Sequence, residues 1–304
     1  MSCEHSQSYQ KGILAPVPNF AKFITYTLTS VDKLGQCLAQ LALRCDGESV
    51  VLALSANLVA KISAGANIPG LKAMPEFSHN GLSLTQDQTD LLIWLRSNGD
   101  GASIGDLAQK ALSIDLLLQP NFALHSSVDC FNYNNRDLSG YEDGTENPEG
   151  DKAIETAFLQ HENPELNGSS FLVIQNWLHN LKEFKQRSQA EQDDTIGRRL
   201  SDNEEFDEAP ESAHVKRTAQ ESFDPEAFIL RRSMPWVNGN ENGLIFAAFA
   251  ASFDPFETIV QRMIGAEDGL VDNLFSFTKP QGGGYYWCPP VSEGRVNFSA
   301  IIAR

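Results

Sequence analysis

An acidic residue lies between two glycines in the most informative segment of this sequence, residues 140–148. The acid is Asp143, flanked by Gly140 and Gly144, and a helix-start pattern follows from Thr145. Glycine permits positive φ and close approach of other groups, so this turn can present the carboxylate to a cavity. Clusters of Gly, Asp, Asn and Pro are also typical of solvated turns, and the turn alone leaves both interpretations open.

A histidine and an arginine could act together with this acid. His214 precedes an apolar segment, residues 228–232, which is predicted to be a strand that runs directly into Arg231 and Arg232. Charges at the end of a buried strand must be neutralised, usually by an anionic ligand or a carboxylate. The sequence therefore makes the acid, His214 and an arginine candidates for one cavity. A lone histidine is more often structural, and His125 and His179 are interpreted in that way.

Other kinds of active site find no support in the sequence. We predict no nucleophilic Ser or Cys, and no H-x-x-x-H pair suits zinc. Residues 282–284 are three glycines followed by a predicted strand, so they do not form a phosphate-binding loop. The five scattered cysteines form no C-x-x-C pair, which favours reduced thiols over structural zinc or covalent haem attachment. An acid, an arginine and a neutral imidazole suit a haem-dependent peroxidase.

The elements that must position these groups are predicted to be strands with helices between them in both halves of the chain. Runs rich in β-branched and aromatic residues predict strands at residues 23–30, 49–54, 90–96, 122–131, 170–177, 228–232, 243–252 and 284–288. Helical patterns lie between them at residues 31–44, 104–112 and 254–264. The predicted fold is α+β, with two ferredoxin-like halves of the dimeric α+β barrel type, residues 1–140 and 141–304. Each half is an antiparallel sheet covered by helices, and the second half carries the pocket.

The composition argues against several classes of partner. The net charge of −17 argues against nucleic acid and anionic membranes, because both require a basic surface. No apolar run approaches the ~20 residues of a membrane span. Residues 1–10 are polar and lack the pattern of a secretory or twin-arginine signal. We therefore expect a cytoplasmic protein.

In addition to the glycine–acid turn, the chain carries a series of short motifs that resembles the dye-decolorising-type haem peroxidases, of the shorter bacterial kind. The turn alone is a weak signal, but the order of all the motifs is highly specific. They are residues 10–14, 89–93, 140–148, 196–198, 201–202, 214–215, 229–235, 272–280, 283–284 and 289–290.

The resemblance implies one haem b per chain, bound without covalent links, with His214 as the proximal ligand of the iron. Asp143 and Arg231 would face the distal side, where peroxide binds, and Ser233 would be their small polar neighbour. The family pattern selects Arg231 and leaves Arg232 turned outward or paired.

Two further positions follow from the same resemblance. Asp272 would accept a hydrogen bond from the proximal imidazole, which makes the imidazole a stronger ligand; Asp268 is the alternative acid. Arg198 is a candidate partner for a haem propionate, and a surface charge is the alternative interpretation.

The implied function is a haem peroxidase that reduces hydrogen peroxide and oxidises dyes and small aromatic molecules in one-electron steps. Electrons from large reductants would pass through surface aromatic residues; the candidates are Trp177, Trp236, Trp287, Tyr133, Tyr141, Tyr285 and Tyr286. For each of them taken alone, a packed position in the core is the favoured interpretation. The family also favours a homo-oligomer, a dimer or higher. Because the chain ends directly after its last predicted strand, we expect no packing into a protein nanocompartment.

Two alternatives remain open from the sequence. The first is a haem-binding protein of haem or iron handling with incidental peroxidase activity, which would use the same His214 and the same pocket. The second is a haem-free structural or regulatory protein of the same fold, in which His214 and Arg231 belong to a buried salt-bridge network. Replacement of Asp143 or Arg231 separates the first alternative from a peroxidase, because haem storage does not need them.

Overall fold

The computed structural model describes residues 8–63, 65 and 68–302 of the chain, so that Cys3 and His5 lie outside the described residues. The strands are β1 (Phe20–Leu28), β2 (Val50–Leu54), β3 (Phe77–His79), β4 (Leu82–Leu84), β5 (Leu91–Ser97), β6 (Phe122–Phe131), β7 (Ser170–His179), β8 (Leu230–Arg231), β9 (Met234–Asn238), β10 (Glu241–Ala250), β11 (Thr278–Cys288), β12 (Val291–Ser292) and β13 (Arg295–Val296). The helices are α1 (Leu34–Ala42), α2 (Ala56–Ile62), α3 (Ile104–Leu118), α4 (Gly150–Ala157), α5 (Leu181–Phe184), α6 (Gln189–Ile196), α7 (His214–Arg217) and α8 (Asp254–Met263). Short 3₁₀ helices lie at Lys11–Ile13, Gln220–Ser222 and Asn273–Ser276.

The long strands form one closed antiparallel barrel. In the first half the order is β2-β5-β1-β6, and in the second it is β9-β10-β7-β11. One residue pair joins the two sheets on each side, Leu54 with Trp287 and Cys130 with Trp236. The predicted α+β class with antiparallel sheets and covering helices is confirmed, whereas the division at residue 140 stays a prediction.

The strand β2 is buried on both faces, which explains why it is apolar at every position, whereas β6 is largely exposed. Along β1, Ala21 and Phe23 face the barrel interior, while Ile24 and Tyr26 face the helices α1 and α3. The strand β5 is buried over nearly its whole length for the same reason.

One predicted element differs in a way that matters for the site. The strand predicted over residues 228–232 is reduced to the two residues of β8, and a separate strand, β9, follows. Side chains bind the backbone here: the N–H of Ile229 donates to Gln220 Oε1 at 2.7 Å, and that of Arg231 donates to Asn147 Oδ1 at 2.7 Å. These bonds take the place of a regular ladder.

The helices of the described residues are short or amphipathic. Among them, none combines the length and the apolar character that crossing a membrane requires.

Candidate functional site

A large cavity lies on the outer face of the second sheet. Its floor is formed by β7 and β10, with Trp177 and Phe246, and α8 covers it with apolar side chains such as Ile259 and Met263. Its volume is about 1020 Å³, which includes the solvent-filled open mouth. We call it the main cavity.

His214 lines the main cavity from the first position of α7. Its Nδ1 is 2.8 Å from Oδ2 of Asp272, whose side chain is fully buried. The other oxygen of Asp272 caps the helix Asn273–Ser276 by accepting from the N–H of Leu274 at 2.8 Å. The carboxylate is therefore held on both sides and fixes the imidazole. Within residues 8–63, 65 and 68–302, Nε2 of His214 has no hydrogen-bond partner and is free to bind a ligand.

Asp268, the alternative acid for His214, binds a different residue. Asp268 makes a bidentate ion pair with Arg217 at 2.7 and 2.8 Å. The hydrogen bonds from Arg217 lower the pKa of Asp268 to about 2. Of the two acids considered for His214, Asp272 is the one that contacts its ring.

Asp143 and Arg231 lie together on the wall of the same cavity. Nη1 of Arg231 is 3.5 Å from Oδ1 of Asp143. Both flanking glycines have positive φ, 101° at Gly140 and 78° at Gly144, so the turn uses the freedom that glycine provides. Asn147 fastens this turn to β8, because its side chain accepts from the N–H of Arg231 at 2.7 Å and donates to its carbonyl oxygen at 3.1 Å.

Arg232 faces away from the cavity. It is buried, and its guanidinium donates to the carbonyl oxygens of Ile13, Leu14 and Arg231, each at 2.9 Å. Burial, together with the charge of Arg96, lowers the pKa of Arg232 to about 10. The interpretation of Arg232 as a paired residue agrees with this geometry, whereas its alternative, an outward orientation, does not.

A second cavity of about 840 Å³ lies on the other side of the acid–arginine pair. Asp143 and Arg231 line both cavities, and Ser233 lines only the second. The Oγ of Ser233 and the Nε of Arg231 are buried and lack a hydrogen-bond partner among the described residues. Buried polar groups without partners usually mark a position for a ligand or water.

The structure does not bring Arg198 to either cavity lining. Its guanidinium pairs with Glu146 at 2.9 Å and with Glu205, and Nη1 donates to the carbonyl oxygen of Asn203 at 2.9 Å. The residue is buried by these partners, which contradicts its alternative interpretation as a surface charge. Its role toward a propionate is carried by the resemblance alone.

His179 is a cavity residue that the sequence interpretation set aside as structural. It is buried, lines the main cavity, and bonds through Nδ1 to Thr278 Oγ1 at 2.6 Å and through Nε2 to Asp137 Oδ1 at 3.0 Å. Burial alone would raise the pKa of Asp137, but the hydrogen bonds and charge of His179, together with those from Ser139, lower it below its usual value. The sequence feature that could have identified His179 as a cavity residue was its position at the end of a buried strand.

The aromatic residues proposed as a surface relay are almost all buried. Tyr133 is 47% exposed, whereas Trp236 lies in the barrel interior and Tyr141 in the wall of the main cavity. The burial of Trp177, Trp236, Trp287, Tyr141, Tyr285 and Tyr286 agrees with the favoured interpretation of these residues as packed core aromatics, and not with a relay at the surface. Their apolar rings pack into the cores that surround the sheet.

Side chains that could bind a metal ion do not cluster in the part of the chain that the structure describes. Among the described residues no group of three or more His, Cys, Asp or Glu side chains could hold a metal ion. A single imidazole with a free nitrogen at an apolar cavity instead suits a cofactor that brings its own metal.

Comparison with known proteins gives a consistent result. A family model described as "Dyp-type peroxidase, C-terminal" matches residues 134–293, more than half of the chain. A dye-decolorizing peroxidase of Mycolicibacterium paratuberculosis is 31% identical over 165 residues, which are 52% of this chain and 47% of that protein. One of Rhodococcus erythropolis is 32% identical over 163 residues, with 52% and 48% covered. The chain thus spans about half the length of the curated relatives that it matches.

Solved structures match over almost the whole chain. A dye-decolorizing protein from V. cholerae superposes with a TM-score of 0.81 at 25% identity, covering 91% of this chain and 96% of the other. A putative dyp-type peroxidase from Shewanella oneidensis gives 0.84 at 27% identity, with 92% and 95% covered. A DypB variant of Rhodococcus jostii RHA1, solved in complex with heme, gives 0.80 at 24% identity, with 90% and 94% covered.

Proposed function

Because this chain belongs to the Dyp-type peroxidase family, we propose that it is a haem b peroxidase that reduces hydrogen peroxide and oxidises dyes and small aromatic molecules in one-electron steps. One observation carries the proposal. His214, with a free Nε2, and the Asp143–Arg231 pair line a single large cavity.

The residues present fit a haem. The floor and cover of the main cavity are apolar, as a porphyrin ring requires. His214 offers one unbonded nitrogen, and Asp272 holds its other nitrogen. Arg231 keeps an unpaired buried Nε beside Asp143. We propose His214 as the proximal ligand, and Arg231 and Ser233 as further contacts to haem or to the molecule bound beside it. The resemblance adds Arg198 as a partner for a propionate, although its guanidinium is paired with Glu146 and Glu205 outside both cavity linings.

When bound, haem supplies an iron centre that binds peroxide and takes up its oxidising equivalents. Asp143 then accepts a proton from peroxide and returns it to the oxygen that leaves as water. The guanidinium of Arg231 stabilises the negative charge that develops as the O–O bond breaks. Asn147 keeps the two groups in register through its pair of bonds to the backbone of Arg231.

Asp272 orients the imidazole of His214 through the Nδ1 atom of the ring. Its buried carboxylate accepts the Nδ1–H of His214 and thereby directs the lone pair of Nε2 to the cavity. A hydrogen bond of this kind raises the basicity of the ligand. Asp272 is thus a positioning residue in the proposed reaction.

The test is an absorption spectrum of the protein with added haemin, before and after one equivalent of peroxide. We expect a sharp Soret band that requires His214 and changes on addition of peroxide. His214→Ala should abolish the band, whereas His125→Ala should keep it, because His125 lies outside the main cavity. Asp143→Asn and Arg231→Leu should bind haemin but react with peroxide roughly 10²–10⁴-fold more slowly.

The outcomes separate the alternatives. A band that depends on His214 but ignores peroxide would favour a protein of haem handling. A colourless protein that binds no haemin would contradict haem binding for this chain and leave only its fold.

We further propose a homo-oligomer in the cytoplasm. The outer face of α3 supports association, because Ile104, Leu112 and Leu116 are exposed apolar residues on one helix. Sedimentation velocity of the wild type and of Leu116→Glu tests the association, and a monomer in both proteins would contradict it.

The cytoplasmic location is supported by Cys37, Cys45, Cys130 and Cys288, which are free thiols. Fractionation of the native cells tests the location.

A further inference from the structure

A third cavity opens at one end of the barrel, on the opposite face of β7 from the main cavity. Asn176 of β7 lines it, whereas the neighbouring Gln175 and Trp177 line the main cavity. Its inner wall is apolar and includes Phe23 and Ile245, which belong to the barrel interior. We call it the barrel-mouth cavity. None of the residues to which we assign a role toward haem or peroxide lines it.

Two strand ladders are interrupted at the rim of this cavity. In β6, His125 is left out of the pairing with β1, and in β11, Gln281 is left out of the pairing with β7. Both residues line the barrel-mouth cavity. Bulges of this kind redirect side chains and are common at the rims of barrels and next to functional sites. The two bulges therefore bring polar side chains to the same opening.

Asp87, from the segment between β4 and β5, lies beside this opening. Its Oδ2 accepts from Nε2 of His125 at 2.7 Å, and its N–H donates to the carbonyl oxygen of Gly283 at 2.8 Å. The segment can approach β11 this closely because Gly282 has no side chain: a Cβ there would lie 2.7 Å from the Cβ of Asp87. The glycines of residues 282–284 thus help to position a carboxylate at the mouth of the barrel.

The polar atoms of this cavity include hydrogen-bond acceptors that lack donors. Among the described residues, Oδ1 of Asp87 has no hydrogen-bond partner, and Oδ1 of Asn176 is buried without one. Asp87 is the one acid among the described lining residues, which include no Lys or Arg. A buried acceptor without a partner usually marks the position of a ligand or water. A carboxylate with a free oxygen favours a positively charged donor, because such hydrogen bonds are the strong ones.

We propose that the barrel-mouth cavity binds a small organic ammonium ion with an apolar body, such as an arylalkylamine. The ammonium group donates to Asp87 and Asn176, and the apolar part lies against Phe23 and Ile245. An anion would be repelled by the carboxylate, and a hydrocarbon would leave both acceptors unpaired. The net charge of −17 raises the local concentration of a cation. This inference goes beyond the proposed function and does not depend on haem.

The experiment is isothermal titration calorimetry of the haem-loaded protein with 2-phenylethylammonium. The neutral 2-phenylethanol and the anion phenylacetate, which have similar size, are the control ligands. We expect saturable binding of the ammonium ion, binding of the alcohol that is at least about tenfold weaker, and no binding of the anion.

Two variants of similar charge locate the site. Asp87→Asn should weaken binding of 2-phenylethylammonium by about tenfold and leave the alcohol unchanged. Asp100→Asn removes the same charge from an exposed turn after β5 and should leave both affinities as they are.

Asn176→Leu is a second, independent variant on the other side of the cavity. Because Oδ1 of Asn176 has no partner to lose, the change should not destabilise the protein. It should weaken binding of 2-phenylethylammonium by about fivefold, since one acceptor is removed.

The Soret band of the same samples shows whether the probe enters the main cavity, and we expect it to stay unchanged. No saturable binding, equal affinities for the ammonium ion and the alcohol, or an equal loss in Asp87→Asn and Asp100→Asn would overturn the inference. A Soret shift that follows the whole binding curve would do the same, because it would assign the probe to the main cavity. If the protein takes up no haemin, the proposed function fails, and the same titration of the protein as purified still decides this inference.

Discussion

The carboxylate behind His214 is fixed by two bonds of 2.8 Å, one from the imidazole and one from the N–H of Leu274. We expect Asp272→Asn to lower haemin affinity by about 10–100-fold, because an amide at this place no longer holds the imidazole in the required tautomer. Haemin titration of the purified protein measures it. Asp268→Asn is the control, since Asp268 binds Arg217 and not His214. An equal loss in both variants would show that Asp272 acts only through general stability.

The buried pair of Asp137 and His179 predicts a pH dependence of stability. The pKa of Asp137 is lowered in the folded protein, while the unfolded value is about 3.9. The stabilisation is therefore present above about pH 4 and is lost as the pH falls through the folded value. Asp137→Asn should cost about 1–3 kcal/mol at pH 7, and the difference from the wild type should shrink below pH 4. Urea unfolding at several pH values measures it, and a difference that does not change with pH would refute the assignment.

At this scale, the sequence predicted those site residues that carry a strong chemical signal. Asp143, Arg231 and His214 do converge on one cavity, although their roles stay predictions. The partners of Arg198 could not be predicted, because Glu146 and Glu205 come from loops whose approach depends on the tertiary fold. The pair of His179 with Asp137 was missed for the same reason.

Among the elements, β11 explains glycines of residues 282–284, which the sequence analysis did not expect to form a phosphate-binding loop. A Cβ on Gly283 would lie 2.5 Å from the carbonyl oxygen of Ile174 and 3.0 Å from Cγ of Gln175, both on β7. A Cβ on Gly284 would meet the side chain of Gln88 at 2.9 Å. The glycines thus allow β7 and the segment around Gln88 to approach β11 closely.

The same substitution should have opposite effects in two elements. Gly283→Ala should destabilise the protein by about 1–3 kcal/mol, because the contact is with backbone that cannot move alone. Gly35→Ala should stabilise it by roughly 0.5–1 kcal/mol, since Gly35 is an exposed position of α1 with open space around it. Thermal unfolding of both variants measures the pair. Destabilisation by Gly35→Ala, or tolerance at Gly283, would contradict this account of the strand.

The elements were predictable where the apolar pattern is clear, as in β5 and α8. They were less predictable where side chains, and not a neighbouring strand, bind the backbone. The prediction of a full strand at residues 228–232 was wrong because the side chains of Gln220 and Asn147 accept hydrogen bonds from its backbone. No local sequence pattern indicates these bonds. The hairpin of β3 and β4 was overlooked although its signal is local. Its turn is Asn80–Gly81, with φ of 48° and 84°, and Asn-Gly is typical of two-residue hairpins.

In the whole molecule, the two halves share a strand order but differ in what covers the sheet. Over the first half, α1 and α3 pack directly onto the strands through residues such as Leu38 and Ile114. In the second half, the connection from β7 to β9 is long, and its α-helices α5, α6 and α7 are short; it also contains the 3₁₀ helix Gln220–Ser222 and the two-residue strand β8. These cannot fill the outer face of the sheet, and the main cavity is the space that they leave.

The charge of the whole molecule should select among reductants. At a net charge of −17, encounter with a cationic aromatic reductant is accelerated and encounter with a sulfonated dye is slowed, by about tenfold or more at low ionic strength. Raising the salt from 10 mM to 0.5 M should therefore lower the second-order rate for the cation and raise it for the anion, because the Debye length falls from ~30 Å to a few Å. Stopped-flow reduction of the peroxide-treated protein measures both rates, with a neutral phenol as the control. Parallel salt effects on all three reductants would mean that electrons enter at a place shielded from the acidic surface.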